Sequence, residues 1–265
     1  MRRIALRIKY RGTNYHGWQR QERDITVQEV LEDALAITCE EPIRTIGCGR
    51  TDAGVHARRY CVSFDTHTKI PLDRLPLALN TRLPDDIAVE AAVEAPPDFN
   101  AILSCVKKEY TYRIYNSRIR DPFFAQTSYF HPGALDHEIM ARGAEAFVGT
   151  HDFAAVRSVG TQTKTTIRTV HHFEVERIGE MIVLRVCADG FLYNMARAMV
   201  GTLLYVSQGK IAPEDIPALL ATRDRRLTGP TAPPEGLAMS RIWYDGVVGQ
   251  MMSCETPTKC DILLE

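Results

Sequence analysis

The sequence predicts an α+β protein built from two similar halves. Three observations carry that expectation: segments with the two-residue period of strands occur in both halves, helical-period segments stand between them, and the second half contains a hairpin, so most strands have antiparallel candidates as neighbours.

In the first half, Ile4, Leu6, Ile8 and Tyr10 alternate with Ala5, Arg7 and Lys9, as in a half-buried strand. RGTNYHGWQRQ, residues 11–21, is rich in Gly and polar groups and reads as a loop. Thr26 and Glu29 have the spacing of a capping box, which satisfies the bare N–H groups of a helix start. Val27, Val30, Leu31, Ala34 and Leu35 follow at helical spacing, so a helix runs to about Cys39. Residues 43–46 and 60–65 read as strands around GCGRTDAGVHARRY, residues 47–60. Residues 72–79 have helical character, with Pro76 expected to distort or split the helix. Residues 87–93 and 109–115 complete the strands of this part of the chain.

The second half repeats the theme. A helix is expected over 135–147, then a hairpin of residues 166–177 and 181–187 turning at Ile178-Gly179-Glu180. A long helix over 191–207 stops at Gly209, a usual C-terminal glycine, and Pro213 opens a shorter one, where proline costs little. Residues 237–244 read as a last strand. The halves divide as 1–105 and 106–245, and residues 246–265 lack periodicity and read as a tail.

Composition narrows the class. With 265 residues, 45% hydrophobic and 25% charged, the chain has the make-up of a globular protein with a substantial core. No run approaches the roughly 18 apolar residues of a membrane span, and charges interrupt the apolar residues at the N-terminus, so no signal peptide is expected. Seven scattered cysteines without a C-x-x-C pair argue against a disulfide framework and a thiolate zinc site, and point to the cytoplasm. Net charge is −1, but the basic residues cluster. Arg2, Arg3, Arg7, Lys9 and Arg11 stand in an acid-free start, and Lys107, Lys108, Arg113, Arg118 and Arg120 face a single Glu109. Such stretches suit a cleft that grips phosphates, or simply two solvated strands.

The chemistry-bearing candidates are few. His171 and His172, adjacent on a strand, point to opposite faces and read as structural. Metalloprotease, zinc-deaminase, P-loop and nucleophile-elbow motifs are all missing, so neither metal nor organic cofactor is expected. What remains is Asp52, just after Arg50 and just before Gly54. A carboxylate beside a guanidinium stays ionised, available as nucleophile or base; a turn Asp bonding local N–H groups is the plainer alternative. The glycines at 47, 49 and 54 allow backbone geometry closed to other residues. Tyr15 and Trp18 in a polar loop, with Tyr110 and Tyr112 in a basic strand, are the ring types on which single-stranded RNA bases stack; core packing is the alternative for the two strand tyrosines.

Five motifs in order resemble the tRNA pseudouridine synthase A family: YHGWQRQ (15–21), GRTDAGVHA (49–57), KEYTYRIYN (108–116), GFLYNMAR (190–197) and APPEGL (232–237). The resemblance implies isomerisation of uridine to pseudouridine at positions 38, 39 and 40 of the tRNA anticodon stem-loop, without a cofactor, by a cytoplasmic homodimer. It implies a long, mostly antiparallel mixed sheet with helices on the outer faces and a central basic cleft. Asp52 becomes the catalytic nucleophile, Arg197 its partner, and Tyr110 the ring stacked on the target base. Detaching a base without hydrolysis needs a group that attacks C1′, attacks C6 or takes the C2′ proton, and a carboxylate suits each. Arg50, His56, Arg58, Tyr15 and Trp18 are then expected to meet the flipped nucleotide or its phosphates. The sequence departs from the family pattern at Asn100 and Ile102, where F-H-A-R is usual, and at Val156 and Ala196. The change at Ile102 removes a possible RNA contact.

Overall fold

The computed structural model describes residues 1–158, 160 and 163–253. Its strands are β1 (Arg2–Tyr10), β2 (Ile46–Gly47), β3 (His56–Thr66), β4 (Ile87–Glu94), β5 (Lys107–Tyr115), β6 (Tyr129–Phe130), β7 (Gly149–Asp152), β8 (Ile167–Ile178), β9 (Met181–Ala188) and β10 (Leu237–Trp243). The helices are α1 (Val27–Cys39), α2 (Leu75–Asn80), α3 (His137–Glu145), α4 (Met195–Ser207), α5 (Ile216–Thr222) and α6 (Gly246–Met252).

Alternation along the strands decides which face of the sheet is dry. Antiparallel register sets Ile4 opposite Phe64, Leu6 opposite Val62 and Ile8 opposite Tyr60. In the second half it sets Tyr110 opposite Val186, Tyr112 opposite Leu184 and Ile114 opposite Ile182. All twelve side chains belong to one apolar core, which also takes Leu31 and Leu35 of α1, Met140 of α3 and Met199 and Leu203 of α4. The intervening residues, such as Arg7, Glu109, Arg113 and Arg185, line a separate hollow of about 400 Å³.

The strands run in the order β4-β1-β3-β10-β5-β9-β8-β7, with β2 beside β3 and β6 beside β5. The last strand is therefore not at an edge. β10 pairs antiparallel with β5 and parallel with β3, joining strands from the two halves of the chain. The sheet is mixed and mostly antiparallel, in an α+β fold, as expected.

Several elements differ from the sequence reading. Pro76 opens α2 instead of splitting it, because its missing N–H lies in the first turn, where no intrahelical partner exists. α4 starts at Met195, not 191, since Asn194 is left-handed (φ 60°). Thr26 caps α1 through the N–H of Glu29, while the Glu29 carboxylate turns to Arg20 at 3.4 Å. Residues 246–252 are not tail but a helix whose Val248 and Met252, four apart on one face, are buried. Arg7 secures that helix by donating to the Met251 carbonyl at 2.7 Å. Residues 254–265, including Cys254 and Cys260, lie outside the described residues. Among the described residues no helix is long and apolar enough to cross a membrane.

If α6 belongs to the fold, a charge buried at Val248 should be costly. Val248→Asp is expected to lower stability by about 2 kcal/mol or more, measured by urea denaturation, whereas a dispensable segment would leave the midpoint unchanged.

Candidate active site

The loop between β2 and β3 carries Asp52, and the chain holds it from behind. Trp18 N–H donates to the Thr51 carbonyl at 3.2 Å, and Gly54 N–H donates to the Tyr15 carbonyl at 3.2 Å. The Tyr10 hydroxyl bonds Thr51 Oγ1 at 2.9 Å, and the Tyr60 hydroxyl donates to the Gly49 carbonyl. The Lys108 ammonium donates to the Cys48 carbonyl. Gly54 closes the turn at φ +78°, a conformation that favours glycine. Gly47 has a different reason: a Cβ there would sit 2.4 Å from the Trp18 ring.

Asp52 emerges from this loop into a cleft of about 460 Å³. Arg197, in the first turn of α4, reaches it: Nη1 donates to Asp52 Oδ2 at 3.1 Å. The Arg197 Nε donates to the Ala232 carbonyl at 2.7 Å, and Nη1 also to Asn194 Oδ1 at 2.9 Å. Among the described residues no donor bonds Asp52 Oδ1. Tyr110 of β5 lines the same cleft, its ring edge-on to Phe191 at 4.8 Å.

Burial raises the proton affinity of Asp52, and the hydrogen bond and charge of Arg197 oppose it. Burial wins, and the carboxyl's pKa is raised from its ordinary value. The pair is withdrawn from water, the Asp52 and Arg197 side chains being 23% and 14% exposed. Burial also pushes the Tyr110 phenol well up, so it keeps its proton. A carboxylate of raised basicity, oriented by a guanidinium and facing an aromatic floor, can attack or deprotonate a flat polar ring system lying against that floor.

A model of the tRNA pseudouridine synthase family matches residues 7–102 and 144–245. tRNA pseudouridine synthase A of Caldicellulosiruptor bescii is 44% identical over 244 residues, covering 92% of this chain and 100% of that one. The enzymes of the same name from Acetivibrio thermocellus and Geotalea uraniireducens are 43% and 45% identical with the same coverage. The chain belongs to the tRNA pseudouridine synthase family. It is therefore an isomerase.

Of the residues expected at the site of this synthase, Asp52, Arg197, Tyr110 and Arg50 line one cleft, Arg50 at its exposed mouth. The others stand elsewhere. Trp18 is only 3% exposed, packed on Tyr60 with ring centroids 4.4 Å apart and on Tyr10 at 6.4 Å. Tyr15 is buried, its hydroxyl donating to Asp86 at 2.5 Å. Neither ring is offered to a base here; the Trp18 ring packs behind Gly47, where the Asp52 loop begins, and Tyr15 meets that loop only through its backbone. His56 is a brace too. Its Nδ1 accepts from Gly12 N–H at 2.9 Å, so Nε2 carries the proton facing the Glu235 carbonyl at 3.1 Å, and burial holds its pKa below the ordinary value. Arg58 lines the other hollow, with Arg7, Arg59 and Arg113.

Lys108, which shares a strand face with Tyr110 two residues on, was singled out only as part of a basic stretch, and Asn194, one helical turn before Arg197, only as part of a motif. Both line the cleft, and their spacing from the motif residues was the available signal.

Trp18→Ala separates bracing from base stacking. As a core ring it should cost about 3–5 kcal/mol of stability, read by thermal or urea unfolding without RNA; a variant as stable as the parent would return Trp18 to the RNA surface.

Proposed function

We propose that this synthase converts uridine to pseudouridine at positions 38, 39 and 40 of the tRNA anticodon stem-loop, with Asp52 as nucleophile. One observation supports the reading above others: Asp52 and Arg197, 145 residues apart in sequence, meet at 3.1 Å in a cleft that Tyr110 also lines.

The reaction breaks the N1–C1′ bond and forms C5–C1′; the proton on C5 leaves and N1 gains one, so the product is an isomer. The uridine must first leave its stack, at a cost of a few kcal/mol. Tyr110 receives the uracil face, and its protonated phenol serves proton transfer near C5. Asp52, ionised, performs the covalent or proton-abstracting step, and Arg197 keeps it charged and aimed. Arg50 at the mouth and Arg168 and Lys108 within the cleft supply cations for the flanking phosphates. No cofactor takes part in this scheme.

The same reading takes the enzyme to be a cytoplasmic homodimer. The free thiols of Cys39, Cys48, Cys61, Cys105 and Cys187 support a reducing compartment. The second hollow supports pairing of copies, since it mixes Arg58, Arg113 and Arg185 with Asp85, Glu90 and Glu109, a pattern that can complement itself across a two-fold axis.

Asp52→Asn and Asp52→Ala should lose about 10⁴-fold or more in turnover while folding and tRNA affinity persist, measured as tritium release from tRNA carrying C5-tritiated uridine. Product from a clean variant would refute the nucleophile.

The pair also fixes a pH dependence. Turnover requires the ionised carboxylate, so the rate falls as pH drops through a pKa above the ordinary carboxyl value. Arg197→Met removes both influences that lower that pKa, so the acid limb should move to higher pH. A variant whose pH–rate profile overlays the parent's would disconnect Arg197 from the chemistry.

A further inference from the structure

Asn194 departs from helix-start chemistry in two ways. It stands at the N-cap of α4, where an Asn side chain ordinarily accepts a hydrogen bond from the helix, yet makes no capping bond. It also adopts φ 60°, ψ 8°, one of three non-glycine residues with positive φ among the described residues. Both departures are unfavourable for the helix, so the side chain is held for another purpose.

That purpose is visible in its two bonds. Oδ1 accepts from Arg197 Nη1 at 2.9 Å, and Nδ2 donates to Ser158 Oγ at 2.9 Å. The amide orientation is fixed chemically, because a guanidinium can only donate, so the atom facing it must be the oxygen. Ser158 is anchored in turn, its N–H donating to the carbonyl of Tyr193 at 3.1 Å. Arg197 thus has three acceptors: Ala232 O on Nε, with Asn194 Oδ1 and Asp52 Oδ2 sharing the two protons of Nη1. The Ala232 bond fixes the base of the guanidinium and leaves rotation about the side chain's length. Asn194 removes that rotation by holding the same nitrogen that meets Asp52. Being neutral, it does so without the charge that would draw Arg197 off the carboxylate.

We infer that Asn194 is a positioning residue for the reaction, orienting Arg197 Nη1 onto Asp52, with Ser158 as its outer anchor. The inference rests on the role proposed above for the Asp52–Arg197 pair. Without the amide, Nη1 turns away part of the time, Asp52 spends that time protonated at pH values where it is otherwise ionised, and turnover falls while RNA binding stays.

The test uses Asn194→Gly, which keeps the left-handed backbone accessible and deletes only the amide. In tritium-release kinetics on tRNA it should lower kcat about tenfold, leave KM within about twofold, and move the acid limb of the kcat profile to higher pH. A double-mutant cycle with Arg197→Met decides the route: if Asn194 acts through Arg197, adding Asn194→Gly to Arg197→Met changes neither rate nor pH profile further. Parental kinetics in Asn194→Gly, or losses that multiply in the double variant, would overturn the inference. Should Asn194→Gly fail to fold, Ser158→Ala leaves that backbone untouched; a smaller shift of the limb in the same direction supports the assignment and an unmoved limb defeats it. The Arg197→Met arm stands apart: a parental profile there removes the pair's role, and this inference with it, whereas a shifted limb beside an unaffected Asn194→Gly isolates the failure to Asn194.

Discussion

The site depends on one ion pair held partly out of water. A carboxylate in solvent is a weak base, and one buried without a partner would take up a proton and lose its charge. Asp52 lies between these limits, since burial raises its proton affinity and Arg197 pulls the other way. Arg197 is itself tied to Ala232, whose N–H returns a bond to the Arg197 carbonyl at 3.1 Å. A single side chain therefore holds three distant parts of the chain in register: the loop before β3, the start of α4 and the segment leading to β10.

The opposite side of the Asp52 loop is supported by rings. Tyr10, Trp18 and Tyr60 form a buried aromatic group on which the loop rests; the Tyr60 hydroxyl bonds its backbone at Gly49 and the Tyr10 hydroxyl bonds the Thr51 side chain. A loop gripped this way holds its carboxylate in one place in the cleft, as the role proposed for Asp52 requires. The glycines of the motif serve that packing as much as any ligand. At Gly17 a Cβ would lie 2.3 Å from the Thr51 carbonyl, so the first loop could not close on the second.

The long strands were legible because alternation is a local property, and so was the start of α1, whose cap is written three residues apart; the short β6 and β7 carry too few residues to show a period, and β2 lies at Ile46–Gly47, not 43–46. The motifs singled out Asp52, Tyr110 and Arg197, which line one cleft. Orientation was harder. Trp18 and Tyr15 stand among polar residues in sequence, which says nothing about which side chains turn inward. Arg58 lines the other hollow, next to the register shift between β1 and β3 at Ile8 and Tyr10, which local sequence does not reveal. The seven residues of α6 span two turns, too few for a period to stand out, and the start of α4 is set by a backbone conformation that composition does not reveal. The direction of the Asp52 shift follows from burial, which only the assembled fold supplies.

The place of β10 has a consequence for how the molecule comes into being. Residues 237–243 fill the middle of the sheet between strands from the two halves, and Leu237 lines the cleft. During synthesis, β1, β3 and β4 can pair early, and β5, β8 and β9 later, but the gap between them stays open until the ribosome has released residues 237–243. Closing it joins segments more than a hundred residues apart, a slow kind of contact to form. A nascent or prematurely ended polypeptide would thus carry both acid and guanidinium with no cleft to unite them, and catalytic competence would arrive in one late step.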